Sequence, residues 1–123
     1  MKIGHIKISS RSSNSIGVLK SSTGLDPSAL MRFAICLSLR QQGIPNPDEY
    51  NKEGATFSAD SIFGVHERMY LTLMINRLKN DGLDPENYLN EMTRAHLNRG
   101  MIGLKQRIKN LSDFDGLLKE VQY

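Results

Sequence analysis

The side chains best suited to covalent or metal chemistry are one cysteine, Cys36, and three histidines, His5, His66 and His96. A nucleophilic thiolate needs exposure and a nearby cation, yet Cys36 lies in the apolar run Phe33–Leu39 and is expected to be an inert core residue. His66-Glu67 opens like a helical zinc motif that needs a second histidine three residues after the glutamate. Position 70 is Tyr70, so the second ligand is missing. Structural roles are expected for His66 and His96. Asp81, Asp84 and Glu86 are close in sequence, but as loop and helix-start residues they suit ordinary capping. No lysine follows a GxxxxGK[ST] phosphate loop, and GxGxxG is absent. These residues predict no enzyme, no cofactor and no metal.

The remaining chemistry is cationic. The chain has 123 residues, 39% hydrophobic and 24% charged, with a net charge of +3. Residues 1–40 carry six basic side chains (Lys2, Lys7, Arg11, Lys20, Arg32 and Arg40) against the single acid Asp26, a net of +5. Residues 41–88 hold four bases and eight acids, and residues 89–123 hold six bases and four acids. The N-terminal third is thus a basic block on an otherwise near-neutral chain. Such a block suits phosphate contact, and equally a merely solvated face.

The elements that must position these charges follow from periodicity. Ile6 and Ile8 alternate with His5, Lys7, Ser9 and Arg11, the period-2 pattern of a half-buried strand. A lone strand is unstable, so it must pair within the chain or across an oligomer interface. Ser12 to Ser15 offer N-caps for a helix through Ile16 and Leu19 that stops at Gly24. The run Ser9–Ser15 reads either as a loop or as a hydroxyl-rich helix start. Leu25-Asp26-Pro27 starts a second helix with an N-cap, a proline at the first helical position and a Leu25/Leu30 staple. Its residues Leu30 to Leu39 are apolar around most of the circumference, which predicts burial by more than one neighbour.

Gly43 is expected to stop that helix. Pro45 and Pro47 stiffen the following turn, and Glu49–Ala59 reads as a loop with a strand at Thr56-Phe57-Ser58. Phe57, Ile62 and Phe63 are expected to anchor it. Gly64–Asn80 predicts another helix, and Gly82-Leu83-Asp84-Pro85 repeats the earlier start phrase by shared capping chemistry. That third long helix is expected to run to Asn98, with Tyr88, Leu89, Met92, Ala95 and His96 facing in. Gly100 and Gly103 are expected to bracket a turn before a basic amphipathic helix containing Leu104 and Ile108. Ser112-Asp113 would cap a final short helix ending near Val121. The sum is a single, mainly α domain over residues 1–123. No apolar stretch approaches the ~20 residues of a membrane span. The N-terminus lacks the apolar core of an export signal, and one cysteine excludes an internal disulfide, so a reducing cytoplasm is expected.

A basic strand followed by two helices is how ribbon-helix-helix DNA binders begin, with strand side chains meeting the groove. Here Lys7, Ser9 and Arg11 form the outward set, and Lys20 and Arg32 flank it. Alternatively, the strand seals a core edge and its lysine is edge protection. With ~4 phosphate contacts a single chain binds weakly at cellular salt, so useful affinity requires oligomerisation.

The ordered phrases Leu19-Lys20-x-x-Thr23-Gly24-Leu25-Asp26-Pro27, Arg32 to Leu39, Phe57 to Gly64, Asp81 to Pro85 and Arg94-Ala95-His96-Leu97-Asn98-Arg99-Gly100 resemble the DNA sulfur modification family DndE over nearly the whole chain. The Ser9–Ser15 run departs from that family's lysine-rich pattern. The resemblance implies a non-catalytic subunit of the bacterial DNA phosphorothioation system, acting beside other DNA sulfur modification proteins. It also implies a helical, ribbon-helix-helix-like fold, a homotetramer, and binding to double-stranded DNA with preference for nicks. On charge position, the expected DNA contacts are Lys2, Lys7, Arg11, Lys20 and Arg32. Arg99, Lys105 and Lys109 form a second basic group that either reaches the same DNA or is a wet face. The competing expectations are a scaffold that binds partner proteins through an acidic surface including Asp48, Glu49 and Glu53, and a ribbon-helix-helix repressor.

Overall fold

The fold is that of a computed structural model, which describes residues 1–108 together with Gly116 and Lys119. The element order is β1 (Ile6–Lys7), α1 (Ser10–Thr23), α2 (Pro27–Leu39), β2 (Thr56–Phe57), α3 (Ala59–Phe63), α4 (Glu67–Asn80) and α5 (Pro85–Arg107). Short 3-10 turns at Pro47–Glu49 and Gly64–His66 complete it. The domain is mainly helical, and its first three elements have the strand-helix-helix order expected. None of the described helices is long and apolar enough to cross a membrane.

The N-terminal strand finds its partner inside the chain. β1 pairs antiparallel with β2, Ile6 opposite Phe57 and Lys7 opposite Thr56. The ladder extends through Ile8 N–H to the Ala55 carbonyl (3.1 Å) and Gly54 N–H to the Ile8 carbonyl (2.9 Å). A Cβ on Gly54 would lie 2.4 Å from the Ser9 carbonyl oxygen, so only glycine lets this loop reach β1. Ile6 and Ile8 are fully buried and Lys7 is exposed, as strand alternation requires.

Helix α1 starts earlier than the serine run suggested. Ser9 is its N-cap, accepting from Ser12 N–H at 3.1 Å, so Ser10 to Ser15 are helical rather than loop. Its buried stripe is Ser12, Ser15, Ile16, Leu19 and Thr23, and it ends at Gly24 in the left-handed region with φ +75°. Helix α2 begins at Pro27 after Asp26, as expected, although the Asp26 side chain makes no cap hydrogen bond. It stops at Leu39, before Gly43, because the chain there turns toward arginines of α4 and α5.

The largest correction concerns α5. Gly100 and Gly103 do not bracket a turn; they lie inside one 23-residue helix that continues to Arg107. The reason is close approach. A Cβ on Gly100 would stand 1.7 Å from the Ala34 carbonyl oxygen, so glycine lets α2 cross directly on α5. Around that crossing Leu30, Ala34, Ile35, Leu97, Met101 and Leu104 are fully buried. Helices α1 and α4 also pack on α5, which makes it the central strut.

Three smaller differences belong here. Residues 59–63 form helix α3 rather than the end of a loop, with Ser58 capping Ser61 N–H at 3.0 Å, and α4 starts only at Glu67. Phe63 and Tyr70 stack across this junction with ring centroids 4.9 Å apart. Tyr88 is exposed on the first turn of α5 instead of facing in, and His66 is exposed on its turn rather than structural. Apart from Gly116 and Lys119, which are helical, the expected terminal helix lies outside the described residues, as does Lys109.

Candidate nucleic-acid interface

Asn98 builds the N-terminal edge. Fully buried on α5, it accepts from Ser9 N–H (3.1 Å) and from the Ser12 hydroxyl (2.6 Å), and donates to the Arg94 carbonyl (3.0 Å). One side chain therefore fixes the junction between β1 and α1, and with it the origin of Lys7 and Arg11. Asn90 does the same about two turns earlier in α5, accepting from Gly4 N–H and donating to the His5 carbonyl. Asn51, in the loop before β2, accepts from Ser10 N–H (2.9 Å) and donates to the Ser10 hydroxyl (3.0 Å). The basic edge is held on three sides.

Lys2, Lys7, Arg11 and Lys20 are all exposed, and none of the hydrogen bonds or ion pairs among the described residues engages their side chains. They do not form one cluster. Arg11 and Lys20 are nine residues apart, which at ~100° per residue puts them on opposite flanks of α1 and ~13 Å apart along its axis. Lys7 ends β1, Arg11 lies in the first turn of α1, and Lys20 stands near that helix's end. Between the flanks lies an exposed strip of Ser10, Asn14, Gly17, Val18 and Ser21. Small side chains there leave the cations standing above the surface. The helix is ~21 Å long, equivalent to about six base-pair steps of a duplex.

Arg32 is placed differently. It is half-buried on α2, and its Nη1 donates to the Ile62 carbonyl at 2.8 Å, tying α2 to α3. In the second basic group, Arg99 is no wet side chain: it donates to the Ser38 hydroxyl and carbonyl, both 2.8 Å, and to the Gly43 carbonyl at 3.2 Å. Burial, and then the nearby Arg77 guanidinium, lower its pKa below the ordinary arginine value. Lys105 is half-buried on α5.

Sequence reasoning missed the carbonyl-gathering arginines. Arg94, buried, donates to the carbonyls of Pro47, Tyr50 and Asn51. Arg77 holds the carbonyls of Leu39, Gln41 and Gly43 while pairing with Asp81 at 2.9 Å. Burial of His96 agrees with the expected structural role. Its Nδ1 lies 2.9 Å from the Ser38 hydroxyl, and burial followed by the Arg99 and Arg77 charges pushes its pKa down to about 3. No group of histidine, cysteine or acid side chains among the described residues could hold a metal ion.

A second missed feature adjoins Arg11. A cleft of about 420 Å³ is lined by Ser9, Arg11, Glu49, Tyr50, Asn51 and Ile102. Burial raises the Tyr50 phenol above its ordinary pKa of 10 and Glu49 adds to this, while Arg99 and Arg11 act in the opposite direction. An isolated tyrosine beside a glutamate in a polar loop carries no distinguishing signal in sequence. Only the fold brings it to Arg11.

The fold and this edge define a small helical protein opened by a strand-helix-helix unit, with its unengaged N-terminal cations on one helix and strand. The family model described as DNA sulphur modification protein DndE matches residues 5–112. The chain belongs to the DndE family. Among solved structures it is similar to DndE from Escherichia coli B7A, described as involved in DNA phosphorothioation modification. The TM-score is 0.67 at 18% identity, covering 85% of this chain and 98% of that one. A mutant DndE, also described as involved in DNA phosphorothioation, gives 0.66 at 16% identity over 85% of this chain and 99% of that one. No curated protein matches.

Proposed function

We propose that this chain is a non-catalytic DNA-binding subunit of a bacterial DNA phosphorothioation system. It works in the cytoplasm beside other DNA sulfur modification proteins, as a homo-oligomer, most simply a tetramer. It binds double-stranded DNA through Lys2, Lys7, Arg11 and Lys20, with Arg32 contributing whatever its bond to α3 leaves available. The observation that carries this reading is the exposed and unengaged state of those first four cations in a stretch of twenty residues that contains no acid. Family membership supplies the system. Nicked duplex is preferred because a nick bends at low elastic cost and so lets both flanks of α1 reach phosphates.

The test is titration of nicked and intact duplexes of one sequence at several salt concentrations, with the mass followed by light scattering. The triple variant Lys7→Glu, Arg11→Glu, Lys20→Glu is run beside the wild type. Losing three phosphate contacts per engaged subunit flattens the slope of log K against log salt by ~2.7. Binding unchanged by the triple reversal overturns the reading. A scaffold role has its own supporting observation. Exposed Asp48 sits beside a cleft lined by Ile44, Pro47 and Tyr88, a surface suited to a protein partner. It takes precedence if the triple variant keeps its partner proteins and the wild type shows no affinity for DNA. A repressor requires strong sequence preference, which competition with random duplex tests.

A further inference from the structure

We infer that the cleft beside Arg11 accepts one unstacked nucleotide of the bound DNA strand, preferring a base with an exocyclic amine. This inference rests on the DNA-binding reading and assigns a site within the same edge. The lining residues divide into two sets. Ser9 and Asn51 are spent on the protein: the Ser9 hydroxyl caps α1, and Asn51 holds Ser10 and accepts from Glu53 N–H at 3.1 Å. Arg11, Glu49 and Tyr50 have no side-chain hydrogen bond among the described residues, yet they share one concavity.

Those three groups match the three parts of a nucleotide. A guanidinium takes phosphate oxygens as paired hydrogen bonds. An aromatic ring offers a stacking surface for a base, and Ile102 adds an apolar wall. A carboxylate rejects phosphate but accepts hydrogen bonds from the exocyclic amine of cytosine or adenine. Tyr50 keeps its phenol proton at neutral pH and remains a donor. Its backbone cannot drift, because Arg94 grips its carbonyl at 3.2 Å together with those of Pro47 and Asn51. The volume, about 420 Å³, lies in the range of small-molecule sites and admits one nucleotide. An intact duplex keeps its bases stacked and cannot fill the cleft. A nick or a short flap lowers the cost of releasing one.

The experiment compares four DNAs of one sequence. They are intact duplex, nicked duplex, nicked duplex with a single unpaired cytidine at the nick, and the same with an abasic residue. The cytidine flap is expected to bind about fivefold or more tightly than the abasic flap, the lower end of what one base-on-aromatic stack contributes. Tyr50→Leu should bring that ratio close to one, and Glu49→Ala should remove the advantage of cytidine over thymidine in the flap. Far-UV circular dichroism confirms that both variants are folded. Equal binding of cytidine and abasic flaps by the wild type overturns this inference while leaving the DNA-binding reading standing. So does a cytidine advantage that survives Tyr50→Leu. Failure to bind any of the four overturns both.

Discussion

Replacing Gly100 by alanine tests whether the α2–α5 crossing organises the fold. The new Cβ would stand 1.7 Å from the Ala34 carbonyl oxygen, 2.4 Å from its carbon and 3.0 Å from its Cα, all backbone atoms that cannot rotate away. To reach the 3.4 Å of ordinary contact, the two helices must part by roughly 1.7 Å. A gap of half that size already forfeits about a quarter to a half of each dispersion contact. The side chains that lose contact are those around the crossing, with Ile35, Leu97 and Met101 all fully buried. Together with the strain of overpacking, the cost is ~3–5 kcal/mol. Better helix propensity for alanine offsets ~1 kcal/mol of it.

The net loss of ~2–4 kcal/mol, over an unfolding entropy of ~0.26 kcal/mol/K for a chain of this length, lowers Tm by about 8–15 °C. Gly103→Ala is the matched control, in the same helix one turn away. Its Cβ would meet only Leu37 Cδ2 at 3.8 Å and Gln41 Nε2 at 4.0 Å. That substitution should raise Tm by about 2–4 °C through propensity alone. Thermal melts followed by circular dichroism read both. A Gly100→Ala melt within two or three degrees of wild type, or an equal fall for Gly103→Ala, would refute the packing argument.

Two further predictions follow from buried polar groups. Asn98→Leu leaves Ser9 N–H and the Ser12 hydroxyl without their acceptor. At ~1–3 kcal/mol per unsatisfied buried donor, urea titration should show ~2–4 kcal/mol lost, the hydroxyl being freer to rotate toward another partner; an unchanged midpoint contradicts the pinning role. His96 stays neutral in the fold down to about pH 3, whereas in the unfolded chain it takes up a proton near 6.5. Its contribution is therefore constant above pH 6.5 and falls by up to ~1.4 kcal/mol per pH unit as acid is added below that. Between about pH 6.5 and 5, before carboxylates titrate, wild type should lose ~1–2 kcal/mol more than His96→Gln; parallel curves would sink this assignment.

The sequence was most legible where local chemistry decides the outcome. Asp26-Pro27 begins α2 and the Ile6/Ile8 alternation buries one side of β1, as the patterns require. It was least legible where the deciding partner is far along the chain. Glycine inside an apolar helical pattern signals either a stop or a close backbone approach, and Gly100 is of the second kind only because Ala34 lies across it. Arg99 reads either as a DNA contact or as a wet side chain, and nothing local marks Arg94 or Asn98, but all three are satisfied by groups 40 to 90 residues earlier. Tyr88 satisfies the inward spacing, yet it sits on the first turn of α5, where no other described element covers it sufficiently.

The same long-range bonds sort the charges. Arg32, Arg77, Arg94 and Arg99 all end on carbonyl oxygens, in places where the chain turns without a ladder to satisfy its own backbone. Exchanging any of them for an uncharged residue strands acceptors, so their positive charge is a structural requirement of the connections between α2, β2 and α4. Formal net charge, +3 for the chain, therefore says little about what the surface offers an anion. Lys2, Lys7, Arg11 and Lys20 differ in kind: no carbonyl or carboxylate among the described residues holds them, and the first twenty residues contain no acid. On the proposed DNA-binding reading, the salt-dependent affinity is assigned to these four. Of the carbonyl-gathering arginines, Arg94 holds the Tyr50 loop beside Arg11, whereas Arg77 and Arg99 hold the chain that follows α2.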